Sequence, residues 1–281
     1  MISVIIPAFR AEATLPLVLD ALAPQVAALD AEVIVVDSTG DDVAGRLTAW
    51  PWVTVVAPAQ RMLPGPARNL GVARASADVL AFIDADAVPD SDWLSTLLAA
   101  LEPDADAVAG AVRNGTPRSA VGTAGWLLEF SEFLPYRRRP VRHGASCNLL
   151  VRRAALEELG GFPDLWCGED TIVTFRFAQR GGLAFERDAT VRHLNRTALA
   201  SFLRHQRRLG AGFAAVCDSV PFPHRWAARP PWSAVAGLVR IGALALRLSR
   251  RPTDLGRALL LSPLLVAGLA SWTVGLVTRR V

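Results

Sequence analysis

The sequence predicts an α/β protein with a doubly wound, mostly parallel sheet and a C-terminal hydrophobic helical appendage. Two observations support this fold class. In the first third of the chain, short apolar runs alternate with longer stretches of helical spacing, which is the order of a parallel sheet with crossover helices. Near the C-terminus, a stretch of 20 residues contains no charged side chain, which favours a hydrophobic helix.

The apolar runs are each four or five residues long, as expected for strands buried on both faces of a parallel sheet. These runs lie at 2–6, 33–36, 53–56 and 79–83, and the helical stretches between them at 12–29, 41–49 and 66–75. Residues 106–217 are less regular, and we expect them to complete the same domain, 1–217. Ligands of such sheets bind at the carboxyl ends of the strands.

Beyond that domain, the composition changes at a predicted linker, 218–232, which contains four prolines. The tail, 233–281, begins with a stretch, 233–250, that carries arginines on one helical face and aliphatic residues on the other. This pattern is typical of an interfacial amphipathic helix. The arginines on that face are Arg240, Arg247 and Arg251.

The uncharged stretch, 258–277, is long enough to cross the hydrocarbon layer of a bilayer and is a candidate transmembrane helix. A soluble helical hairpin packed on the domain is the alternative for both tail helices. The chain enters its first apolar strand without a basic leader, so we expect a membrane-associated protein whose domain 1–217 lies on the cytoplasmic side.

Composition and charge exclude several classes of protein. The hydrophobic content of 52% excludes a disordered chain, and the three cysteines form no CxxC pair, which argues against a zinc site or a disulfide framework. All 30 basic residues are arginine, which excludes Schiff-base and P-loop lysine chemistry. The net charge of +4 is concentrated in the apolar tail, which favours a membrane surface over nucleic acid as the partner.

The sharpest chemical motif is FIDAD, 82–86, in which an apolar strand delivers two carboxylates, Asp84 and Asp86. Carboxylate oxygens suit a hard divalent cation such as Mn²⁺ or Mg²⁺, which would neutralise a diphosphate. Because turns favour aspartate for conformational reasons of their own, the pair by itself is also consistent with an ordinary turn.

Three neighbouring motifs give this acid pair a context. VIIPAFRAE covers 4–12, VIVVDSTGDD covers 33–42, and GPARNLGVARASADVLAFIDAD covers 65–86 and ends in the acid pair. In this order and spacing, they resemble the inverting nucleotide-sugar glycosyltransferases of family 2, over roughly residues 2–210. The resemblance implies a GT-A catalytic domain that transfers sugar from a nucleotide-sugar donor to an acceptor hydroxyl.

The resemblance also implies a donor site. Asp86 would be the main metal ligand, Asp84 would hold the ribose or a metal-bound water, and His193 would lie near the diphosphate or the metal. The implied donor-binding residues are Pro7, Ala8, Arg10, Glu12, Asp37, Arg68, Asp84 and Asp86. Without the resemblance, each of these residues has an alternative role. Arg68 would form a surface salt bridge, Glu12 would supply a charge at a helix N-terminus, and His193 would be structural.

A second acid pair, Glu169 and Asp170, lies at the start of a predicted helix, where negative charge is favoured in any case. The resemblance assigns Asp170 as the base that deprotonates the acceptor hydroxyl and Glu169 as an auxiliary group. A single carboxylate base without a covalent nucleophile gives inversion at the anomeric carbon.

Other residues are weaker candidates for the acceptor or diphosphate side: Asn148, His193, Gln206 and Arg207. Gln206 and Arg207 lie in SFLRHQRRLG, 201–210, which lacks the tryptophan of the Gln-x-x-Arg-Trp element in processive synthases and so favours transfer of a single sugar. The run Arg137–Arg139 is a candidate ligand for an acceptor phosphate.

We therefore predict an inverting, metal-dependent glycosyltransferase with a UDP-sugar as the favoured donor. The acceptor would be a hydroxyl compound, with a polyprenyl phosphate or glycolipid as the lipid-linked candidates. One alternative is a sugar-nucleotide nucleotidyltransferase, although PAFRAEATLP, 7–16, lacks the glycine-rich basic loop of that class. The other is a catalytically inactive, membrane-anchored binding protein.

Overall fold

The computed structural model describes residues 1–40, 45, 47–136, 141–223, 225–249 and 252–279. The chain forms two compact units. Unit 1 comprises Met1–Arg113, Pro135–Leu165 and Glu169–His193, and unit 2 comprises Asn114–Leu134, Trp166–Gly168 and Leu194–Val281. The helix predicted over 41–49 lies largely outside the described residues, and so does the run Arg137–Arg139.

Unit 1 contains an eight-stranded sheet in the order β3-β2-β1-β4-β7-β6-β8-β5. Its strands are β1 (Ile2–Ala8), β2 (Glu32–Asp37), β3 (Val53–Val56), β4 (Val79–Phe82), β5 (Ala87–Pro89), β6 (Ala107–Asn114), β7 (Leu149–Arg152) and β8 (Leu183–His193). The four strands predicted from the apolar runs are confirmed, with ends that differ by two residues at most.

The first four strands form the parallel half of this sheet: β1 pairs with β2 and β4, and β2 pairs with β3. The antiparallel half includes the pairs β4–β7, β6–β7 and β5–β8. Val4, Ile5 and Ile6 of β1 are fully buried, as a central parallel strand with both faces covered requires. The carboxyl ends of β1, β2 and β4 therefore meet at one edge of the sheet.

The described α-helices are divided between the two units. They are α1 (Leu15–Leu29), α2 (Pro64–Arg74), α3 (Trp93–Ala99), α4 (Ala120–Phe130), α5 (Arg153–Glu158), α6 (Glu169–Gln179), α7 (Leu199–Ser219), α8 (Ala236–Leu248), α9 (Pro252–Leu260) and α10 (Ser262–Thr278). The helix predicted over 12–29 begins three residues later, with Pro16 in its first turn. Proline is tolerated there because the N–H groups of the first turn have no helical partner.

In unit 2, helices α7 and α10 pack closely against each other. A Cβ atom added at Gly210 would lie 1.9 Å from the main-chain oxygen of Trp272, and one added at Gly275 would lie 1.8 Å from that of Arg207. Real Cβ atoms do not approach other atoms so closely, so glycine is required at both positions. The two helices therefore pack backbone against backbone.

The tail differs from the sequence prediction in one respect. The continuous helix expected over 258–277 is divided at Leu261 into α9 and α10, because the ring of Pro263 clashes with a helical turn that continues upstream. Within the described residues, no single helix has the length and apolarity to cross a membrane. Thr253–Leu260 and Ser262–Thr278 meet that criterion together, with a bend of 72° between them.

The amphipathic helix predicted over 233–250 is present as α8. The predicted linker, 218–232, lies within unit 2 and is partly ordered as short 3₁₀ helices at Arg225–Ala228 and Trp232–Ala234. The domain boundaries proposed from composition at 217 and 232 stay predictions.

Candidate active site

The FIDAD motif and the end of β8 bring three metal-ligating side chains together in unit 1. After β4, the chain turns through Asp84 and Asp86 into β5, and the pairing of β5 with β8 sets Ala87 opposite His193. The ligand atoms of Asp84, Asp86 and His193 all lie within 4.8 Å of one another. The Nε2 atom of His193 is 3.4 Å from Oδ1 of Asp86.

This trio suits a divalent cation that accepts both oxygen and nitrogen ligands. Mg²⁺ is held by oxygen, whereas imidazole is a common ligand of transition metals, so two carboxylates with one histidine fit Mn²⁺ better. Among the described residues, no other group of three acidic, histidine or cysteine side chains has the spacing for a metal ion. The three residues proposed as metal ligands thus lie together, and their binding of a metal ion stays a prediction.

Arg68 of α2 connects this cluster to the second acid pair. Its Nη2 atom donates a hydrogen bond to Oδ1 of Asp84 at 2.6 Å, and its Nη1 atom donates one to Oε1 of Glu169 at 2.7 Å. The Arg68 side chain is 3% exposed, and the two carboxylates raise the pKa of its guanidinium although burial opposes that shift. The resemblance implied a contact with the nucleotide base or diphosphate; in this structure the terminal nitrogens of Arg68 bind the two acids instead.

The two acids of the second pair occupy different environments at the N-terminus of α6. Glu169 is buried and faces Arg68, whereas Asp170 is partly exposed. The Oδ2 atom of Asp170 accepts hydrogen bonds from the backbone N–H of Ser146 at 3.0 Å and from its hydroxyl at 3.2 Å, and Oδ1 accepts one from the N–H of Thr171 at 2.7 Å. These donors fix the Asp170 carboxylate while leaving it accessible.

The buried thiol of Cys147 lies among the charges of both acid pairs. Burial raises the pKa of Cys147, and the negative charges of Asp84, Asp170 and Asp86 raise it further. The direct link between the two pairs is Arg68, which contacts both Asp84 and Glu169, the residue before Asp170.

The protonation state of Glu169 changes near neutral pH. Burial raises its pKa to about 7, the charge of Asp170 adds to that rise, and Arg68 opposes it. A carboxyl group in this state changes its charge within the physiological range, next to the candidate base.

We therefore expect the pH profile of kcat/KM to show an acidic inflection near pH 7. As the pH falls through about 7, Glu169 gains a proton and its ion pair with Arg68 weakens, so the contact that links Asp84 to the second acid pair is loosened. In Glu169→Gln this inflection should disappear. A Glu169→Gln enzyme that keeps the same inflection would assign the titration to another group.

A second cluster lies at the carboxyl ends of β1 and β2. Asp37, which ends β2, accepts hydrogen bonds from the N–H and the hydroxyl of Thr39, and the Thr39 hydroxyl in turn accepts one from the N–H of Arg10 at 2.8 Å. Arg10 has a φ of 51°, a left-handed conformation that non-glycine residues rarely adopt. The loop after β1 is thus held in a defined, strained conformation beside Asp37.

Phe9 in this loop is flanked by arginine side chains. The guanidinium of Arg61, which follows β3, lies 4.1 Å from the centre of the Phe9 ring, and that of Arg10 lies 5.3 Å from it. The other predicted donor residues of the loop differ in exposure: Pro7 is partly buried, Ala8 is buried and Glu12 is exposed.

The three weaker candidates are Asn148, Gln206 and Arg207. Asn148 is fully buried. Its side chain accepts a hydrogen bond from Trp93 and donates hydrogen bonds to the main-chain oxygens of Ala111 and Ala189, so its polar atoms are bonded within the protein interior. Gln206 and Arg207 belong to α7 of unit 2. Gln206 is buried against Glu129, and Arg207 is exposed.

Comparison with known proteins identifies the family. The sequence pattern described as "Glycosyl transferase family 2" matches residues 3–160, which is more than half of the chain. The chain belongs to glycosyl transferase family 2. This confirms the family that the sequence motifs suggested.

A curated relative of this chain is the pre-mycofactocin glycosyltransferase of Mycobacterium tuberculosis. It is 28% identical over 167 residues, which cover 56% of this chain and 36% of the relative. The chain thus spans about a third of the length of this relative.

Solved structures support the predicted GT-A fold. The mannosyltransferase PcManGT of Pyrobaculum calidifontis, in complex with GDP-Man and Mn²⁺, superposes with a TM-score of 0.62 at 20% identity, covering 99% of this chain and 86% of that one. Glucosyl-3-phosphoglycerate synthase of Mycobacterium tuberculosis, with Mn²⁺, UDP-glucose and phosphoglyceric acid, has a TM-score of 0.56 at 25% identity, covering 78% and 80%.

Sequence reasoning missed three residues of the site: Thr39, Arg61 and Ser146. Thr39 lies within the motif VIVVDSTGDD, whereas Ser146 lies outside the quoted motifs. Nothing in the local sequence indicates that their hydroxyl groups hydrogen-bond Asp37 and Asp170. Arg61 lies in an irregular stretch after β3, and only the fold brings it to Phe9.

Proposed function

We propose that this family 2 glycosyltransferase transfers a single sugar, with inversion and with a divalent cation, from a nucleoside-diphosphate sugar to an acceptor hydroxyl. A UDP-sugar is the favoured donor. The observation that carries the proposal is the bridge from Asp84 through Arg68 to Glu169. One buried guanidinium contacts an acid of the metal-binding cluster and the acid next to the candidate base, so both halves of the chemistry can act on one sugar ring.

The acceptor side depends on Asp170. Its carboxylate is held by the N–H and hydroxyl of Ser146 and remains accessible, so it can remove the proton from an acceptor hydroxyl within hydrogen-bond distance. The attacking oxygen then approaches the face of the anomeric carbon opposite to the leaving group. The configuration inverts because attack and departure occur in one displacement.

The donor side depends on Asp84, Asp86 and His193, which would hold Mn²⁺. A cation bound there would offset the negative charge of the departing nucleoside diphosphate. Asp37 and the loop after β1 would hold the nucleoside, with the buried carboxylate as acceptor for an N–H of the base. PcManGT and glucosyl-3-phosphoglycerate synthase, both solved with Mn²⁺ and a nucleotide sugar, support this assignment.

We further propose that the acceptor is lipid-linked, as in a polyprenyl phosphate or a glycolipid, and that transfer occurs at the cytoplasmic face of a membrane. The basic, apolar character of residues 218–281 supports a lipid acceptor. Nucleotide sugars are made in the cytoplasm, which supports the orientation.

Release of the leaving group distinguishes the proposed reaction from its alternatives. The purified protein is incubated with UDP-, GDP- and dTDP-sugars and a lipid extract as the source of acceptor, with and without Mn²⁺, and nucleoside diphosphate and pyrophosphate are measured in the same samples. We expect Mn²⁺-dependent release of nucleoside diphosphate. Pyrophosphate release would indicate a nucleotidyltransferase, and release of neither would favour an inactive binding protein.

Arg61 is expected to influence the choice of nucleotide base. Its guanidinium is exposed over Phe9, where it can donate hydrogen bonds to base carbonyl oxygens while Phe9 offers a stacking face. Arg61→Ala should raise KM for the preferred donor by about tenfold, because one charge-assisted hydrogen bond to the donor is lost. The kcat value should be nearly unchanged, since this bond is the same in the ground state and the transition state. Arg74→Ala, in the last turn of α2, is the control; equal KM values for both variants would remove Arg61 from the donor site.

A further inference from the structure

Helix α8 of unit 2 turns its arginines inward. The Nη2 atom of Arg240 donates a hydrogen bond to the main-chain oxygen of Leu128 at 2.7 Å, and its guanidinium lies 4.5 Å from the centre of the Trp272 ring. Arg247, two turns later, donates hydrogen bonds to Ser131 and Glu132. Burial lowers the pKa of Arg240 to about 10, which is consistent with a guanidinium enclosed by protein.

The opposite face of α8 consists entirely of apolar residues and is exposed. We call it the outer face of α8; its residues are Leu238, Val239, Ile241, Gly242, Ala245 and Leu246. Leu238 is 69% exposed and Leu246 is 76% exposed. A surface helix in water normally has the reverse arrangement, with charged residues outside and apolar residues inside.

The two following helices, which contact α8 and each other, extend this apolar exposure. In α9, Leu259 and Leu260 are 67% and 83% exposed. In α10, one side packs against α7 through its glycines, while the exposed large residues of the other are all valines: Val266, Val274 and Val277. Exposed apolar surface on three successive helices exceeds the scattered apolar residues that are normal on a soluble surface.

The charge and the aromatic residues of this part of unit 2 indicate what covers the apolar surface. Residues 218–281 contain nine arginines and two acidic residues, Asp218 and Asp254. Asp218 pairs with Arg279, and Asp254 lies 3.7 Å from Arg257. Of the other seven arginines, Arg240 and Arg247 are held against the protein, and the remaining five supply positive charge that complements an anionic surface.

Trp226 and Trp232 add an interfacial feature before α8. Both are about half exposed, their rings contact each other edge to face at 5.8 Å, and the exposed Arg225 and Arg229 lie beside Trp226 in sequence. Tryptophan and arginine together are typical of the headgroup region of a bilayer, where one end of the side chain is apolar and the other is hydrated.

We propose that the outer face of α8, with the exposed residues of α9 and α10, inserts into the headgroup and acyl boundary of an anionic lipid bilayer. The arginines that the sequence pattern would assign to lipid headgroups, Arg240 and Arg247, instead hold α8 to α4 and to the residues that follow it. The lipid contact is made by the aliphatic side of the helix. This inference concerns unit 2 alone and does not depend on the proposed reaction.

Sedimentation with lipid vesicles tests the proposal on the full chain. The probes are vesicles of equal parts phosphatidylcholine and phosphatidylglycerol, and vesicles of phosphatidylcholine alone. We expect the wild type to partition preferentially to the anionic vesicles. The double variant Leu238→Glu/Leu246→Glu should lower the partition coefficient by roughly 30-fold or more, because two apolar anchors become anionic.

Leu17→Glu is the matched control, because Leu17 is 50% exposed on α1 of unit 1; it should bind vesicles as the wild type does. Mn²⁺-dependent binding of the nucleotide-sugar donor, measured without lipid, should be the same in all three proteins, which separates this test from that of the reaction. Unchanged vesicle binding by the double variant, or no binding by the wild type, would overturn the proposal. So would a wild-type dimer in lipid-free sedimentation that the double variant abolishes, since a second copy would then cover this surface.

Discussion

Replacing Asp170 by Asn is expected to lower the rate of sugar transfer by about 10²–10⁴-fold, the usual contribution of a general base. The amide cannot accept the proton of the acceptor hydroxyl. The shape of the side chain and the hydrogen bond from the N–H of Thr171 can be kept, so binding of Mn²⁺ and of the donor should be unchanged. Single-turnover release of nucleoside diphosphate in the presence of acceptor, together with donor titration, measures both properties.

Glu169→Gln is the control for that experiment. Glu169 is buried against Arg68, whereas Asp170 is partly exposed, so substitution of Glu169 should cost less than that of Asp170 and should mainly alter the pH profile. Asp170→Asn with wild-type turnover would show that another group is the base. Equal losses in the two variants would show that the pair acts as a structural unit.

Replacing Arg68 by Met is expected to lower the free energy of unfolding by about 3 kcal/mol, because it leaves the buried Glu169 and the partly exposed Asp84 without the cation that both contact. Glu169 is most affected, since it is buried and already faces the charge of Asp170. Turnover should fall as well, because Asp84 loses the group that holds it beside the metal site. Urea denaturation at neutral pH measures the stability.

Arg180→Met provides a matched comparison. Arg180 also has two carboxylate partners, Asp106 at 2.6 Å and Glu158 at 2.9 Å, but it is 33% exposed at the surface. Its removal should cost about 1 kcal/mol or less, as for exposed ion pairs. The double variant Arg68→Met/Glu169→Gln should recover part of the lost stability. If Arg68→Met is no less stable than Arg180→Met, the bridge does not hold the site together.

The parallel half of the sheet could be predicted because its strands are short, continuous apolar runs. The strands of the antiparallel half are not continuous apolar runs. Strand β6, AVAGAVRN, is rich in small residues, β8 is interrupted by the charged residues ERD, and β5 has only three residues. Unit 2 is assembled from three separated segments of the chain. Its contacts are long-range, and local patterns do not encode them.

The candidate site shows the same division. Asp84, Asp86 and Asp170 could be proposed because they end a strand or begin a helix within motifs of a known family. The hydrogen bond between Arg68 and Glu169 could not be predicted, because the two residues are 101 positions apart in the sequence. The helical periodicity of the sequence also predicted that the arginines of α8 share one face. It could not predict that this face contacts the protein, because the groups that bind the arginines, on Leu128, Ser131 and Glu132, are distant in sequence.

Mn²⁺ binding and donor turnover, measured side by side for Asp86→Asn and Asp170→Asn, test the central claim most directly. The account predicts that both variants lose release of nucleoside diphosphate, whereas only Asp86→Asn loses Mn²⁺ affinity, read from the electron paramagnetic resonance signal of the free ion. Wild-type Mn²⁺ affinity in Asp86→Asn, or wild-type turnover in Asp170→Asn, would contradict it.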